Sequence, residues 1–170
     1  MELYLVRHAE AVEQAEGLED AVRWLTPRGR KQQQRAAARL HRKKVRPDLI
    51  ITSPLTRAVQ TAELLLPELG KRTPLIADSR LAADATLEEL LTLLKEQEEV
   101  DCLMLVGHEP LLSGLAAALL ESELAFSFAK SGCLALQLRK KKEKPAKFLW
   151  YTPANGNTIC SAKKACVQRS

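Results

Sequence analysis

The chain has 170 residues, which is enough for one domain that buries roughly 70% of the surface exposed by its unfolded chain. Its hydrophobic content of 46% and charged content of 28% are ordinary for a globular protein, and no apolar run approaches the ~18 residues of a membrane span. The net charge of +5 favours anionic partners, whereas the aromatic content of 4% argues against a surface that stacks on nucleic-acid bases.

Short apolar runs alternate with helical patterns along the chain. Strands are predicted at 3–6, 48–53, 74–78, 102–107, 133–139 and 146–151. Helices are predicted at 25–44, 54–69, 86–97 and 110–121, with Thr26 and Thr86 as N-caps. This order indicates an α/β fold, a three-layer α/β/α sandwich whose mostly parallel central sheet carries an antiparallel edge strand.

The domain is expected to span residues 1–153. The polar segment 154–170 has no periodicity, so we expect a tail that is partly disordered. The first residues do not combine a basic segment with a long apolar one, which predicts no signal peptide and a cytoplasmic protein. We expect a monomer.

Charged side chains follow several of the predicted strands. Arg7 and His8 end the first strand, Arg57 lies one helical turn beyond the second, and His108 follows the strand over 102–107. Ligands of such sheets bind beyond the carboxyl ends of the strands. Each side chain alone could be structural, the histidines as hydrogen-bonded turn residues and the arginines as solvated surface residues. Two arginines and two histidines at one edge of the sheet, however, repel one another unless an anion is present. Arginine forks suit the oxygens of a phosphoryl group.

Four motifs carry a resemblance to a known family. "LVRHAEA", "LTPRG", "SPLTRAVQTAELL" and "LVGHEP", in this order, resemble the phosphoglycerate mutase-like histidine phosphatase superfamily, and within it the short branch typified by SixA. The resemblance covers residues 2–153. It implies that His8 is a nucleophile that becomes transiently phosphorylated, and that Arg7, Arg57 and His108 hold the phosphoryl oxygens. Ser53 would orient this site without touching phosphate.

The resemblance implies a phosphatase that needs no metal or other cofactor, because the arginines supply the positive charge. The four cysteines also lack the spacing of a zinc site. Asp84 and Glu10 are weak candidates for a general acid, and capping of the helix near Thr86 is the stronger expectation for Asp84.

The leading hypothesis is a phosphohistidine phosphatase that acts on a protein. Its alternatives are a broad-specificity phosphomonoesterase for small molecules and a non-catalytic module that binds phosphate. A pocket of this kind would accept phosphate, sulfate or a similar anion.

Two basic segments, 28–46 and 139–147, leave two readings open. Such runs are commonly solvated faces, but they would also suit docking of an acidic phosphoprotein. Nucleic-acid binding has no support beyond charge, and nothing points to a membrane.

Overall fold

Six strands form one mixed sheet in the computed structural model, which describes residues 1–121, 126–139 and 145–166. The strands are β1 (Glu2–Arg7), β2 (Leu49–Thr52), β3 (Leu75–Ala77), β4 (Cys102–Gly107), β5 (Cys133–Leu138) and β6 (Ala146–Thr152). Their order across the sheet is β3-β2-β4-β1-β5-β6. The first four of these are mutually parallel, and β5 runs antiparallel to both β1 and β6. The predicted, mostly parallel sheet with antiparallel pairing at one edge is confirmed.

Helices cover both faces of this sheet. They are α1 (Pro27–Arg42), α2 (Thr56–Glu63), α3 (Leu66–Leu69), α4 (Leu87–Glu96), α5 (Leu111–Leu120) and α6 (Ala162–Cys166), with 3-10 helices at Asp20–Val22 and Ser79–Leu81. Leucines of α4 and α5 pack in one buried cluster, and apolar residues of α1, α2 and α3 pack in a second cluster with the opposite faces of the strands. The predicted three layers are confirmed.

The helix predicted over 54–69 is wrong in its extent. It begins at Thr56 rather than at Pro54, and it is divided into α2 and α3. Pro67 explains the division, because proline cannot donate the hydrogen bond that a continuous helix needs there.

The capping role expected for Asp84 is also wrong. α4 is capped by Thr86 and Glu89 in a reciprocal capping box, in which each side chain accepts from the other residue's backbone N–H.

Part of the C-terminal segment packs against the domain. The backbone N–H groups of Tyr151 and Ile159 each donate to the other's carbonyl, at 2.8 Å in both cases. Ala165 on α6 belongs to a buried cluster. The domain boundary after residue 153 stays a prediction. No helix among the described residues is long and apolar enough to cross a membrane.

Candidate active site

The register of three neighbouring strands brings the predicted site residues to one edge of the sheet. Arg7 lies opposite Gly107 across the β1–β4 pair, and the His8 N–H donates to the Gly107 carbonyl at 3.0 Å. On the other side of β4, the Ser53 N–H donates to the carbonyl before Gly107, at 2.9 Å. The three strands therefore end level, and the ring centroids of His8 and His108 lie 5.0 Å apart.

His8 is held as a neutral imidazole with one nitrogen available. Its Nδ1 lies 2.7 Å from the carbonyl oxygen of Ala9. Because a carbonyl only accepts hydrogen bonds, Nδ1 carries the proton and Nε2 carries the free lone pair. Burial lowers the pKa of His8 to about 4, and the positive charges of Arg57 and Arg7 act in the same direction. Near pH 7 the His8 ring is therefore the neutral imidazole, with one proton on Nδ1.

His108 is oriented by the fully buried hydroxyl of Ser53. Its Nε2 lies 2.8 Å from Ser53 Oγ, and that oxygen already accepts the N–H of Leu55 at 3.3 Å. The Ser53 hydroxyl can donate to Nε2, and in that arrangement the proton of neutral His108 is on Nδ1. Burial, followed by the neighbouring His8 and Arg57, lowers the pKa of His108 to about 3.

The two arginines are clamped at their terminal nitrogens. Arg7 Nη1 donates to the Phe128 carbonyl at 2.6 Å. Arg57 Nη1 and Nη2 donate to the carbonyl and to Oδ2 of Asp20, at 2.7 and 2.9 Å. The Nε atoms of both arginines and Nδ1 of His108 are buried without a hydrogen-bond partner among the described residues. Buried nitrogens of this kind are normally paired, so these three atoms are candidates for contact with an acceptor-rich ligand.

Asp20 is the residue of this site that the sequence did not reveal. It lies on the 3-10 helix between β1 and α1, where no motif or periodicity singles it out. Partial burial raises its pKa, but the hydrogen bond and charge of Arg57, together with the charge of Arg23, outweigh burial and lower it. Its carboxylate therefore stays ionised and fixes the end of the Arg57 guanidinium, which leaves the Nε edge for a ligand.

A packed aromatic wall positions Arg7. Phe126, Phe128 and Tyr151 meet edge to face, with centroids 4.8 to 5.9 Å apart. The Phe128 N–H donates to Glu109 Oε1 at 2.5 Å, which places Glu109 in a supporting role. The packing of the Phe128 ring and the bond from its N–H to Glu109 thereby hold in place the Phe128 carbonyl, which accepts from Arg7.

Neither acid candidate contacts the two histidines or the two arginines. Glu10 Oε1 accepts the Thr26 hydroxyl at 2.9 Å, and Glu10 Oε2 lies 3.8 Å from Arg28 Nε. Asp84 is exposed and makes no hydrogen bond or ion pair to another described residue. The described part of the chain contains no group of three or more His, Cys, Asp or Glu that could hold a metal ion.

Comparisons with known proteins agree with this geometry. The sequence profile of the histidine phosphatase superfamily (branch 1) matches residues 3–85. An uncharacterized protein of Picosynechococcus sp. is 35% identical over 142 residues, which are 81% of this chain and 85% of that protein. The candidate phosphohistidine phosphatase SixA of Agrobacterium tumefaciens has a TM-score of 0.79 at 27% identity, over 89% of this chain and 96% of that one.

A structure of the protein histidine phosphatase SixA complexed with tungstate has a TM-score of 0.81 at 25% identity, over 91% of this chain and 97% of that one. The chain belongs to the histidine phosphatase superfamily. Its fold and family support a phosphatase, which is a hydrolase.

Proposed function

We propose that this protein removes phosphate from phosphohistidine in a partner protein, through a phosphohistidine intermediate on His8 and without a metal ion. One observation carries the proposal: neutral His8, with its Nε2 lone pair free, lies at the same edge of the sheet as Arg7, Arg57 and His108, each of which has a buried nitrogen without a partner among the described residues. Tungstate, which SixA binds, is a tetrahedral oxyanion of the kind that such donors hold. We expect phosphate or sulfate to bind here as well.

The reaction has two steps. His8 Nε2 attacks phosphorus, the new N–P bond forms, and the bond to the leaving nitrogen breaks with its electron pair going to that nitrogen. Water then attacks the phosphorus of phosphorylated His8, which releases inorganic phosphate and restores the imidazole. In both steps the negative charge of the equatorial oxygens is stabilised by Arg7, Arg57 and the Nδ1–H of His108, and such fixed donors contribute several kcal/mol in comparable sites.

The state of the nearby carboxyl groups favours phosphohistidine over an alkyl phosphate. An alkoxide is strongly basic and needs an acid to leave, whereas a phosphorylated imidazole that is protonated on its other nitrogen leaves as neutral imidazole. Asp20 is held ionised by Arg57, and Glu10 accepts the Thr26 hydroxyl and makes no hydrogen bond to either histidine among the described residues. Neither Asp20 nor Glu10 is therefore presented to the site as a proton donor.

The test compares wild type with His8→Asn and His41→Asn on a phosphohistidine peptide and on p-nitrophenyl phosphate, with a chelator present. His41 is exposed and bonds to the Glu68 carbonyl, so it is the matched control. We expect wild type and His41→Asn to hydrolyse the peptide faster than the ester, and His8→Asn to lose at least about a thousandfold in kcat.

Four results would contradict the proposal. Full activity of His8→Asn would show that His8 is not the nucleophile. Loss of activity with chelator would show that the reaction needs a metal ion. Preference for alkyl phosphates would instead indicate the small-molecule phosphomonoesterase, and phosphate binding without any turnover would indicate the non-catalytic module.

A further inference from the structure

Five basic residues form a straight row on α1. They follow the spacing i, i+3, i+7, i+11 and i+14, and are Arg28, Lys31, Arg35, Arg39 and Arg42. At 3.6 residues per turn they fall within about 80° of the helix circumference, over a length of about 21 Å. The row faces away from the buried side of the helix, which consists of Gly29, Gln33, Ala36, Ala37 and Leu40.

The positive charges of this basic row repel one another, and few acidic residues lie close enough to compensate them. Residues 27–46 contain nine Lys or Arg and no Asp or Glu. Like charges at i, i+3 and i, i+4 destabilise a helix, and the pKa of Arg39 is lowered by burial and by the charge of Arg42. An ion pair within the described residues reaches the row only at Arg28, from Glu10 at 3.8 Å. An anionic partner would remove this repulsion.

Part of the row also lines a cavity, and this distinguishes the surface from a flat solvated helix face. Arg28, Lys31 and Arg35 line a cavity of about 410 Å³ together with Gln32 and with Asn155 from the segment after β6. Three cations and two amides converge there. This lining is suited to carboxylate side chains of a partner, because every one of these groups can donate a hydrogen bond to a carboxylate oxygen.

The basic row begins beside the candidate active site. The N-cap Thr26 donates to Glu10, which is two residues after His8. Gly29 is packed so closely on the Glu10 backbone that a Cβ there would lie 2.1 Å from the carbonyl oxygen. The start of α1 is therefore within reach of a partner whose phosphorylated side chain reaches His8.

Two exposed apolar side chains precede the row. Val22 and Trp24 are each 48% exposed, on the segment that leads into α1. Tryptophan and arginine are the residues most enriched at the centres of protein interfaces. An exposed apolar pair that precedes a basic row in the chain fits a protein surface better than it fits a nucleic-acid backbone.

We propose that the basic row and its cavity bind acidic side chains of the phosphoprotein substrate, and that this contact selects among phosphohistidine proteins. The inference rests on the proposed function, since the partner is placed by its phosphohistidine. The docking contact affects capture of the substrate. It therefore lowers KM and raises kcat/KM, and it leaves kcat for the chemical step unchanged.

The test uses two peptides with a single histidine that is phosphorylated by phosphoramidate. One carries six glutamates on one side of the histidine, and the other carries six glutamines in the same places. Wild type is compared with the triple variant Arg28→Gln, Lys31→Gln, Arg35→Gln. The matched control is Lys71→Gln, Arg72→Gln, Lys95→Gln, which makes the same change in net charge at exposed positions near the amino ends of the strands, away from the site.

At about 50 mM salt we expect wild type and the control to prefer the acidic peptide by about tenfold in kcat/KM, and the preference to shrink at about 200 mM salt. The row variant should lose the preference to within twofold while it hydrolyses the glutamine peptide as wild type does. Unchanged turnover of the glutamine peptide also shows that the variant is folded.

The outcomes separate the two proposals. If wild type hydrolyses neither peptide, the proposed function fails. If it hydrolyses both equally, or if the control loses as much preference as the row variant, the docking inference is overturned and the phosphatase stands. If a 20-nucleotide RNA binds wild type more tightly than the acidic peptide and only the row variant loses it, the row is a nucleic-acid surface and the docking inference is also overturned.

Discussion

Replacing Ser53 by alanine tests how the site presents His108 to a phosphoryl group. The substitution removes the hydroxyl that lies 2.8 Å from His108 Nε2 and leaves that nitrogen buried without its partner. An unpaired buried acceptor costs about 1–3 kcal/mol. Without this hydroxyl nothing fixes which nitrogen carries the proton, and a proton on Nε2 would leave Nδ1 presenting a lone pair to the phosphoryl oxygens.

We expect Ser53→Ala to lower kcat/KM about 10- to 100-fold, since ~1.4 kcal/mol of lost transition-state stabilisation is a factor of ten. The free energy of unfolding should fall by about 1–2 kcal/mol. Both are measurable, with a phosphohistidine peptide and with urea titration. The ¹⁵N chemical shifts of the His108 ring report its tautomer directly, which a purely structural role of Ser53 would leave unchanged.

Ser131→Ala is the matched control. Its hydroxyl oxygen is buried but has no hydrogen-bond partner among the described residues, so its removal should leave activity and stability within experimental error. The reasoning is refuted if Ser53→Ala keeps kcat/KM within twofold of wild type and His108 keeps its proton on Nδ1.

Other predictions concern pH, packing and thiol chemistry. His8 and His108 have pKa values of about 4 and 3, so kcat/KM should hold down to about pH 4; an acid limb at pH 6.5 would contradict their burial. Because these folded-state values lie below the unfolded value of about 6.5, stability should be complete above pH 6.5 and fall below it, by up to about 1.4 kcal/mol per pH unit for each histidine. Gly29→Ala should destabilise by about 1–3 kcal/mol in urea, because its Cβ would meet a backbone carbonyl at 2.1 Å, whereas Gly114→Ala, with open space, should stabilise by up to about 1 kcal/mol; equal effects would refute the packing argument. Native alkylation should modify the exposed thiol of Cys160 before the half-buried Cys102, whose pKa burial raises to about 11, and mass spectrometry showing the reverse order would contradict this.

The sequence predicted the convergence of His8, Arg57 and His108 because each of them follows a strand or opens a helix. Apolar runs located β1, β2 and β4, and the rule that ligands bind at carboxyl ends placed His8, Arg57 and His108 at one edge. What the pattern could not supply was the order β2-β4-β1, which puts the two histidines on adjacent strands. That order depends on how the helices pack, and no local signal records it.

The contacts of the loop between β1 and α1 escaped prediction. Asp20 pairs with Arg57 across 37 positions of the chain, and the path of an irregular loop is set by such contacts rather than by periodicity. Glu10 was expected as a weak acid candidate, and its bond to Thr26 ties the same loop to α1. Local chemistry was more informative where a single residue decides the outcome, as with the cap at Thr86.

Trapping the phosphorylated enzyme tests the central claim most directly. Wild type would be mixed with excess phosphohistidine peptide, quenched in alkali within milliseconds and digested, and the phosphorylated fragment identified by mass spectrometry. We predict acid-labile, alkali-stable phosphate on His8 Nε2, formed and lost at rates that account for kcat. Phosphate on another residue, or full turnover with no phosphorylated His8 at any time, would contradict the mechanism.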